Sequence, residues 1–364
     1  MKTLFCYGKL KTENKIHFCG RFHPFCKKGV RGPVTIYDIA REAGVSASSV
    51  SRVINNKPGV SRANRAKISA LLEKYHFVSN ETARGLVTGS SKLVGILVAD
   101  IRTQHHIEGA YHIARDLAAH GYCSLILNTG DSDQERVDSI RTLEQRKVEA
   151  AVLMGSIFQT PQVKNSIERS LPHVPVFMLN GFLDLPNVYG VLSDERNGVE
   201  ECVHLLIKKQ RYKIAFMVDK PTPSSQLKTE GFQKGMQALP VHEKKPLWIY
   251  SGVEGSLNGG REAMQQILRQ HPDVNGVICS LDILACGALR TLQEAGRRVP
   301  QDVAVIGIDN SVYAEICNPR LTSLDNMLFD SSVTIAHKLV DCLEGRRTNQ
   351  KTMLFTDIVE REST

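Results

Sequence analysis

No apolar run in this chain approaches the ~18 residues that a membrane-spanning helix needs. The N-terminal stretch, MKTLFCYGKLKTENK, has Lys scattered through it where a secretory leader would need a continuous apolar segment. The expected location is therefore the cytoplasm, with no membrane partner. Also missing are G-x-G-x-x-G, G-x-x-x-x-G-K-S/T and G-x-S-x-G, the usual signs of dinucleotide sites, P-loops and nucleophile elbows. No enzyme and no cofactor are expected. Cysteine is too dispersed for a disulfide framework: of nine, six (Cys123, Cys202, Cys279, Cys286, Cys317 and Cys342) are spread singly and read as reduced core residues. Cys6, Cys19 and Cys26, with His17 and His23, lie closer together but match no strong zinc spacing, so no metal is expected.

What is present is organised by charge. Of the net +8, residues 1–33 carry +7 and residues 34–92 carry +5, which leaves the remainder at −4. A basic front on a mildly acidic body points to a polyanion at the front. A merely solvated basic face is the bland alternative. The first 33 residues have no periodicity. They read either as a disordered extension or as upstream DNA read as protein, with Lys27-Lys28-Gly29-Val30 from a ribosome-binding site and Val34 from a GTG start. At 364 residues the chain has room for two or three domains with cores of their own.

The stretch DIAREAGVSASSVSRVINNKPGVS (38–61) holds two short helical patterns, neither able to bury much alone. Thr35 is placed to cap a first helix with Ile36, Ile39, Ala40 and Ala43 on its inner face, and Gly44 to close it. Ser46 caps a second helix around Val50, Val53 and Ile54. Ser61 caps a third, carrying Ile68, Leu71, Leu72 and Tyr75. Sharing one core makes the three stable together, as a helix-turn-helix unit. The outer face of the second helix is small and polar, fit to enter a major groove. Arg52 suits a guanine, Ala47 a thymine methyl and Ser48 several bases. Tyr37, Ser49, Asn55 and Ser61 suit phosphates. Thr35 and Ser46 complete the candidate DNA contacts, and the expected partner is double-stranded DNA.

The run VTIYDIAREAGVSASSVSRVIN (34–55) resembles the N-terminal signature of the LacI/GalR bacterial transcriptional regulators, and the likeness extends over everything after residue 33. It implies base-reading roles for Ala47, Ser48 and Arg52. Residues 77–92, FVSNETARGLVTGSSK, are rich in Gly and Ser, and read alone as a linker. The resemblance makes Thr82 to Leu86 a hinge helix, with Leu86 wedged into the minor groove and Asn80, Ala83 and Arg84 beside it. Ser79 stands where the family usually has Pro, and Gly85 weakens the helix by roughly 1 kcal/mol relative to Ala. Both leave more ordering to be supplied by DNA.

From Leu93 onward, apolar runs alternate with amphipathic helices. LVGILVA, CSLILNT, EAAVLMG and VPVFMLNG form one series, and KIAFMVD, LWIYSG, GVICSL and VAVIGID a second. The expected fold class is α/β: an all-α headpiece followed by two doubly wound, parallel-sheet subdomains. The expected boundaries are 34–78 for the headpiece and 79–92 for the hinge. One subdomain is expected over 93–191 and 323–350, the other over 192–322 and 351–364. Ligands in such folds bind beyond the carboxyl ends of strands. That selects Asp100, Thr103, Gln104, His105, Asn128, Ser156, Asn180, Asp194, Asp282 and Asp309, with Lys228 at a helix start. Such groups suit a polyhydroxylated small molecule.

The resemblance implies a core like periplasmic sugar-binding proteins, with Asp282 and Asp309 at effector positions. Departures are Thr103-Gln104-His105-His106 for the common Asn-Pro-Phe-Phe, Lys228 for Arg and Leu281 for Asn. The His pair has a second reading, as a helix N-terminus without a ligand role. No heptads follow the last strand, so the expected assembly is a homodimer on a partly palindromic operator. The leading function is a DNA-binding regulator, in this family most often a repressor, controlled by a small carbohydrate. A solute-binding protein is the alternative that the body alone would support.

Overall fold

The computed structural model describes residues 34–77, 90–239 and 246–364. The chain divides into two compact units, Met1–Arg84 and Gly85–Thr364. In the first, α1 (Ile36–Ala43), α2 (Ala47–Ile54) and α3 (Arg62–Lys74) follow the expected caps. Thr35 and Asp38 form a reciprocal capping box: Thr35 Oγ1 accepts from Asp38 N at 3.3 Å, while Thr35 N donates to the Asp38 carboxylate at 3.0 Å. Gly44 ends α1 at φ +68°, a left-handed conformation that a side chain would strain. Ile39, Ala40, Ala43, Val50, Val53 and Ile68 form the small core. At its edge Lys74 Nζ and Tyr75 OH both donate to the Glu42 carboxylate, at 2.7 and 2.5 Å, tying α3 to α1.

The second unit contains two lobes. The first begins with β1 (Leu93–Val98), α4 (Gln104–Ala119), β2 (Cys123–Asn128), α5 (Asp133–Gln145), β3 (Ala150–Met154), α6 (Pro161–Ser170), β4 (Val176–Leu179) and β5 (Val188–Ser193). The chain then builds the second lobe from α7 (Glu195–Lys208), β6 (Ile214–Met217), α8 (Pro223–Met236) and β7 (Trp248–Tyr250). It continues through α9 (Leu257–Gln270), β8 (Gly276–Cys279), α10 (Asp282–Glu294), β9 (Ala304–Ile308), α11 (Val312–Ile316) and β10 (Thr322–Asp325). It returns to the first lobe for α12 (Leu328–Leu343) and β11 (Lys351–Leu354), and ends in the second with β12 (Asp357–Val359).

Each lobe has a six-stranded sheet, ordered β11-β5-β4-β3-β1-β2 and β12-β10-β9-β8-β6-β7. All neighbours are parallel except β12, which runs antiparallel to β10. Helices cover both faces, which is why the inner strands, β10 (TSLD) apart, are largely apolar on both sides. In the first lobe Ile113, Leu117, Ile335 and Leu339 pack on one face, and Ile140, Leu143, Val163 and Ile167 on the other. Val203 and Phe232 play this part in the second lobe, opposite Met264 and Leu292.

The chain crosses between lobes later than the sequence boundaries suggested. β10 lies in the second sheet, and β11 in the first rather than the second. The reason is long-range pairing: Lys351 sits opposite Gly190 of β5, and Gly190 N donates to Gln350 O at 2.7 Å. β5 and β10 were not among the two series of apolar runs. Cys202 and Cys279 are buried as expected, whereas Cys123 is exposed because β2 is an edge strand. Among the described residues no helix is long and apolar enough to cross a membrane, and no cluster of His, Cys, Asp or Glu is arranged for a metal. Cys6, Cys19, Cys26, His17 and His23 lie outside the described residues, as do the proposed start and the hinge residues up to Gly89.

Candidate DNA-reading face and effector cleft

The headpiece turns one face of α2 outward. Val50 and Val53 point into the core, which leaves Ser48 and Arg52 exposed and Ala47, Ser49 and Ser51 half-buried. Ser46 Oγ accepts from Ser49 N at 3.2 Å and lies 2.7 Å from Ser48 Oγ. The cap therefore holds the first turn of α2 rigid where base edges would be read. Arg52 passes close to Gly59: a Cβ there would come within 3.1 Å of its Nη1. Tyr37 is exposed at the start of α1. Asn55 Nδ2 donates to Ser51 O at 2.8 Å and so closes its own helix. Thr35 and Ser61 both serve as caps. Asn80, Ala83, Arg84 and Leu86 lie outside the described residues.

In the core, four of the eleven expected effector residues converge between the lobes. His105, in the first turn of α4, has Nδ1 3.4 Å from Asn326 Nδ2 and 3.9 Å from Asp309 Oδ1. Asn326 Nδ2 donates to Asp309 Oδ1 at 2.8 Å. Lys228 on α8 is buried, with Nζ 3.3 Å from Glu195 Oε1 and 3.3 Å from the Ser280 carbonyl, to which it donates. Ser224 links the lobes: its hydroxyl donates to Glu195 Oε1 at 2.8 Å and its amide to Ser156 Oγ at 3.0 Å.

Burial sets the charges here. It pushes the His105 imidazole down to about 3, helped by His106 and Lys228, so that ring is neutral near pH 7. Burial also opposes the charge on Lys228, but Glu195, Asp309 and Asp219 outweigh it and hold the ammonium above its ordinary value. Asp309 is raised by burial, with Lys228 pulling the other way. Glu195 Oε2 and Asn326 Oδ1 are buried acceptors with no donor.

Of the remaining expected residues, six are occupied locally and Thr103 makes no side-chain cap bond. The Arg102 guanidinium pairs with Asp100 and holds its carboxyl down at about 2. Thr103 is the extended residue before α4, and Gln104 bonds Glu108 one turn on. Asn128 Oδ1 accepts from Ile101 N at 2.8 Å, Asn180 Oδ1 from Ser193 N at 3.4 Å, and Asp194 caps α7. Asp282 accepts from Ser323 Oγ at 2.6 Å and from Ser311 N and Oγ at 2.7 and 2.8 Å. Its carboxylate is filled, and burial still lifts it to about 6 against those bonds. It straps α10 to β10 and presents no free acceptor. The His pair opens α4, and His105 faces the cleft from there.

Sequence reasoning missed Glu195 and Asn326. Glu195 follows the candidate Asp194 directly, and Asn326 follows the strand TSLD, so both sit just beyond strand ends. A cavity of about 440 Å³ lies at the mouth of this cleft, lined by Asp131, Arg136, Ser156, Thr160 and Lys220. A larger one of about 940 Å³ lies elsewhere, along β7 and α9.

Residues 35–80 match the family described as bacterial regulatory proteins, lacI family, and residues 203–364 match a periplasmic binding protein-like domain. An HTH-type transcriptional regulator of Lachnoclostridium phytofermentans is 29% identical over 335 residues, covering 91% of this chain and 99% of that one. The ribose operon repressor of Escherichia coli K12 is 30% identical over 298 residues, covering 80% and 87%. In structure, the lac repressor dimer bound to operator and the anti-inducer ONPF superposes with a TM-score of 0.81 at 22% identity, over 91% and 99% of the two chains. A CelR–cellobiose complex gives 0.65 at 24% identity, over 91% and 100%. These relatives are regulators of transcription, not enzymes. Carrying the family's DNA-binding headpiece and resembling one of its repressors over most of both lengths, this chain belongs to the lacI family of bacterial transcriptional regulators.

Proposed function

We propose that the protein is a repressor whose grip on a partly palindromic operator is set by a small carbohydrate held between the lobes. A homodimer presents two headpieces to two half-sites. Arg52 reads a guanine, while Ala47 and Ser48 meet neighbouring bases. Thr35, Tyr37, Ser46, Ser49, Asn55 and Ser61 fix the register on phosphates. Asn80, Ala83, Arg84 and Leu86 act in the minor groove. The ligand meets His105, Ser156, Lys228 and Asp309, together with Glu195 and Asn326. It changes operator affinity only by the difference in its affinity for the two arrangements of the lobes.

The observation that carries this reading is the convergence of side chains from α4, α7, α8 and the loop after β9 on one inter-lobe cleft. The names of relatives support it, since one is a ribose operon repressor and a similar structure holds cellobiose. The test is selection of duplexes from a random pool by the purified full chain, with and without neutral sugars. A recurring site with two-fold symmetry is expected, along with at least one sugar that changes affinity for it. Binding no better than to scrambled competitor, with every sugar tried, overturns the proposal.

A further inference from the structure

We propose that the cleft admits a neutral, hydroxyl-rich ligand and rejects phosphorylated or carboxylated ones, with Glu195 as the residue that decides. This rests on the cleft reading above. A phosphate or carboxylate needs a cation that is not already matched. Lys228 is the one cation buried at the centre of the cleft among the described residues, and Glu195 stands 3.3 Å from it. Cations nearer the mouth are matched too. Arg102 pairs with Asp100, Arg136 with Asp133 at 2.8 Å, and Lys220 with Asp131.

Helix starts give no relief at α7 and α10, while α4 and α8, which hold His105 and Ser224 in their first turns, carry no acid there. α7 and α10 carry their own acids, Glu195 and Asp282, in the first turn, and these fill the positive end of each dipole. An entering anion would also face the Asp309 carboxyl, and that of Asp219, which accepts from Ser280 Oγ at 2.9 Å.

What the site lacks is donors. Glu195 Oε2 and Asn326 Oδ1 are buried acceptors without a partner, and a buried acceptor left unmet costs free energy that a ligand hydroxyl recovers. Both residues are at most 4% exposed, so bulk water hardly meets these acceptors either. Shape filling alone would treat a sugar and its phosphate ester alike, whereas this arrangement separates them by charge.

The experiment measures thermal unfolding of the full chain, wild type and Glu195→Gln, in millimolar inorganic phosphate against chloride of equal ionic strength. Phosphate should leave the wild-type midpoint unchanged and raise that of Glu195→Gln, in which Lys228 is released. Neutral sugars, their phosphate esters and their uronic acids are then compared on the wild type. The parent sugar should bind about tenfold or more tightly than its anionic derivatives. Stabilisation of the wild type by inorganic phosphate, or an ester that binds as well as its parent, overturns the inference and leaves the carbohydrate reading standing. A panel in which no sugar of any kind binds sinks that reading, while the phosphate arm still decides this one. The wild-type measurements suffice should Glu195→Gln fail to fold.

Discussion

The headpiece and the cleft handle polar groups in opposite ways. On α2 the side chains proposed to read DNA, Arg52 and Ser48, stand in water, where an exposed polar group needs no protein partner. In the cleft Lys228 and Glu195 have been taken out of water and must be matched within the protein. The difference teaches where specificity is written. A surface reader is defined by what its outward groups can reach, and a buried site by which of its groups remain unmatched.

The strongest way to break this contrast is to delete one charge in each region. Lys228→Met removes the charge that matches Glu195, leaving the buried carboxylate with only the Ser224 hydroxyl, and should lower core stability by about 3–5 kcal/mol in chemical denaturation. Adding Glu195→Leu should restore a large part of that. Arg52→Ala should leave the unfolding curve in place and remove about 1–3 kcal/mol of discrimination at one base position. A reversed pattern, with the exposed Arg governing stability, would undo the comparison.

A smaller effect comes from protons. His105 is held neutral down to about 3, while an unfolded histidine takes its proton near 6.5. Between those values the unfolded chain binds the additional proton, so His105 contributes stability above pH 6.5 that is lost as pH falls toward 3. His105→Asn should flatten that part of the stability–pH profile. An unchanged slope would place the imidazole in water rather than in the cleft. The smallest expected effect uses identical chemistry in both regions: Thr35→Ala and Ser132→Ala each remove a helix cap within a capping box. Each should cost about 1 kcal/mol, and the headpiece, with its smaller core, should lose the larger share of its stability.

The headpiece was legible because its signals are local. Thr35, Ser46 and Ser61 each accept from a backbone N–H three residues on, and Gly44 turns the chain immediately after Ala43. The sheets were legible where burial on both faces goes with an unbroken apolar run, as in β1, β3, β4, β8 and β9, but not at β10, whose TSLD is buried and largely polar. β11 was not, because KTML alternates in exposure and owes its place to pairing with a strand about 160 residues earlier in the chain. The candidate site was legible in half. Ser156 and Asp309 follow strand ends and His105 opens a helix, whereas Lys228, expected at a helix start, lies in the second turn of α8. Glu195 looks like any acid in the first turn of a helix. Asp282 looked like a ligand because no local pattern tells that two serines, one of them 41 residues away, have filled it.

Three short crossings join the lobes: Ser193 to Glu195, Asp325 to Leu328, and Leu354 to Asp357. Three cords side by side permit a swing, as of a door on its frame, and resist sliding. Glu195 and Asn326 sit in two of those cords. Whatever guest takes hold of them therefore touches the pivot itself, where a slight pull moves the far edge of each lobe the most.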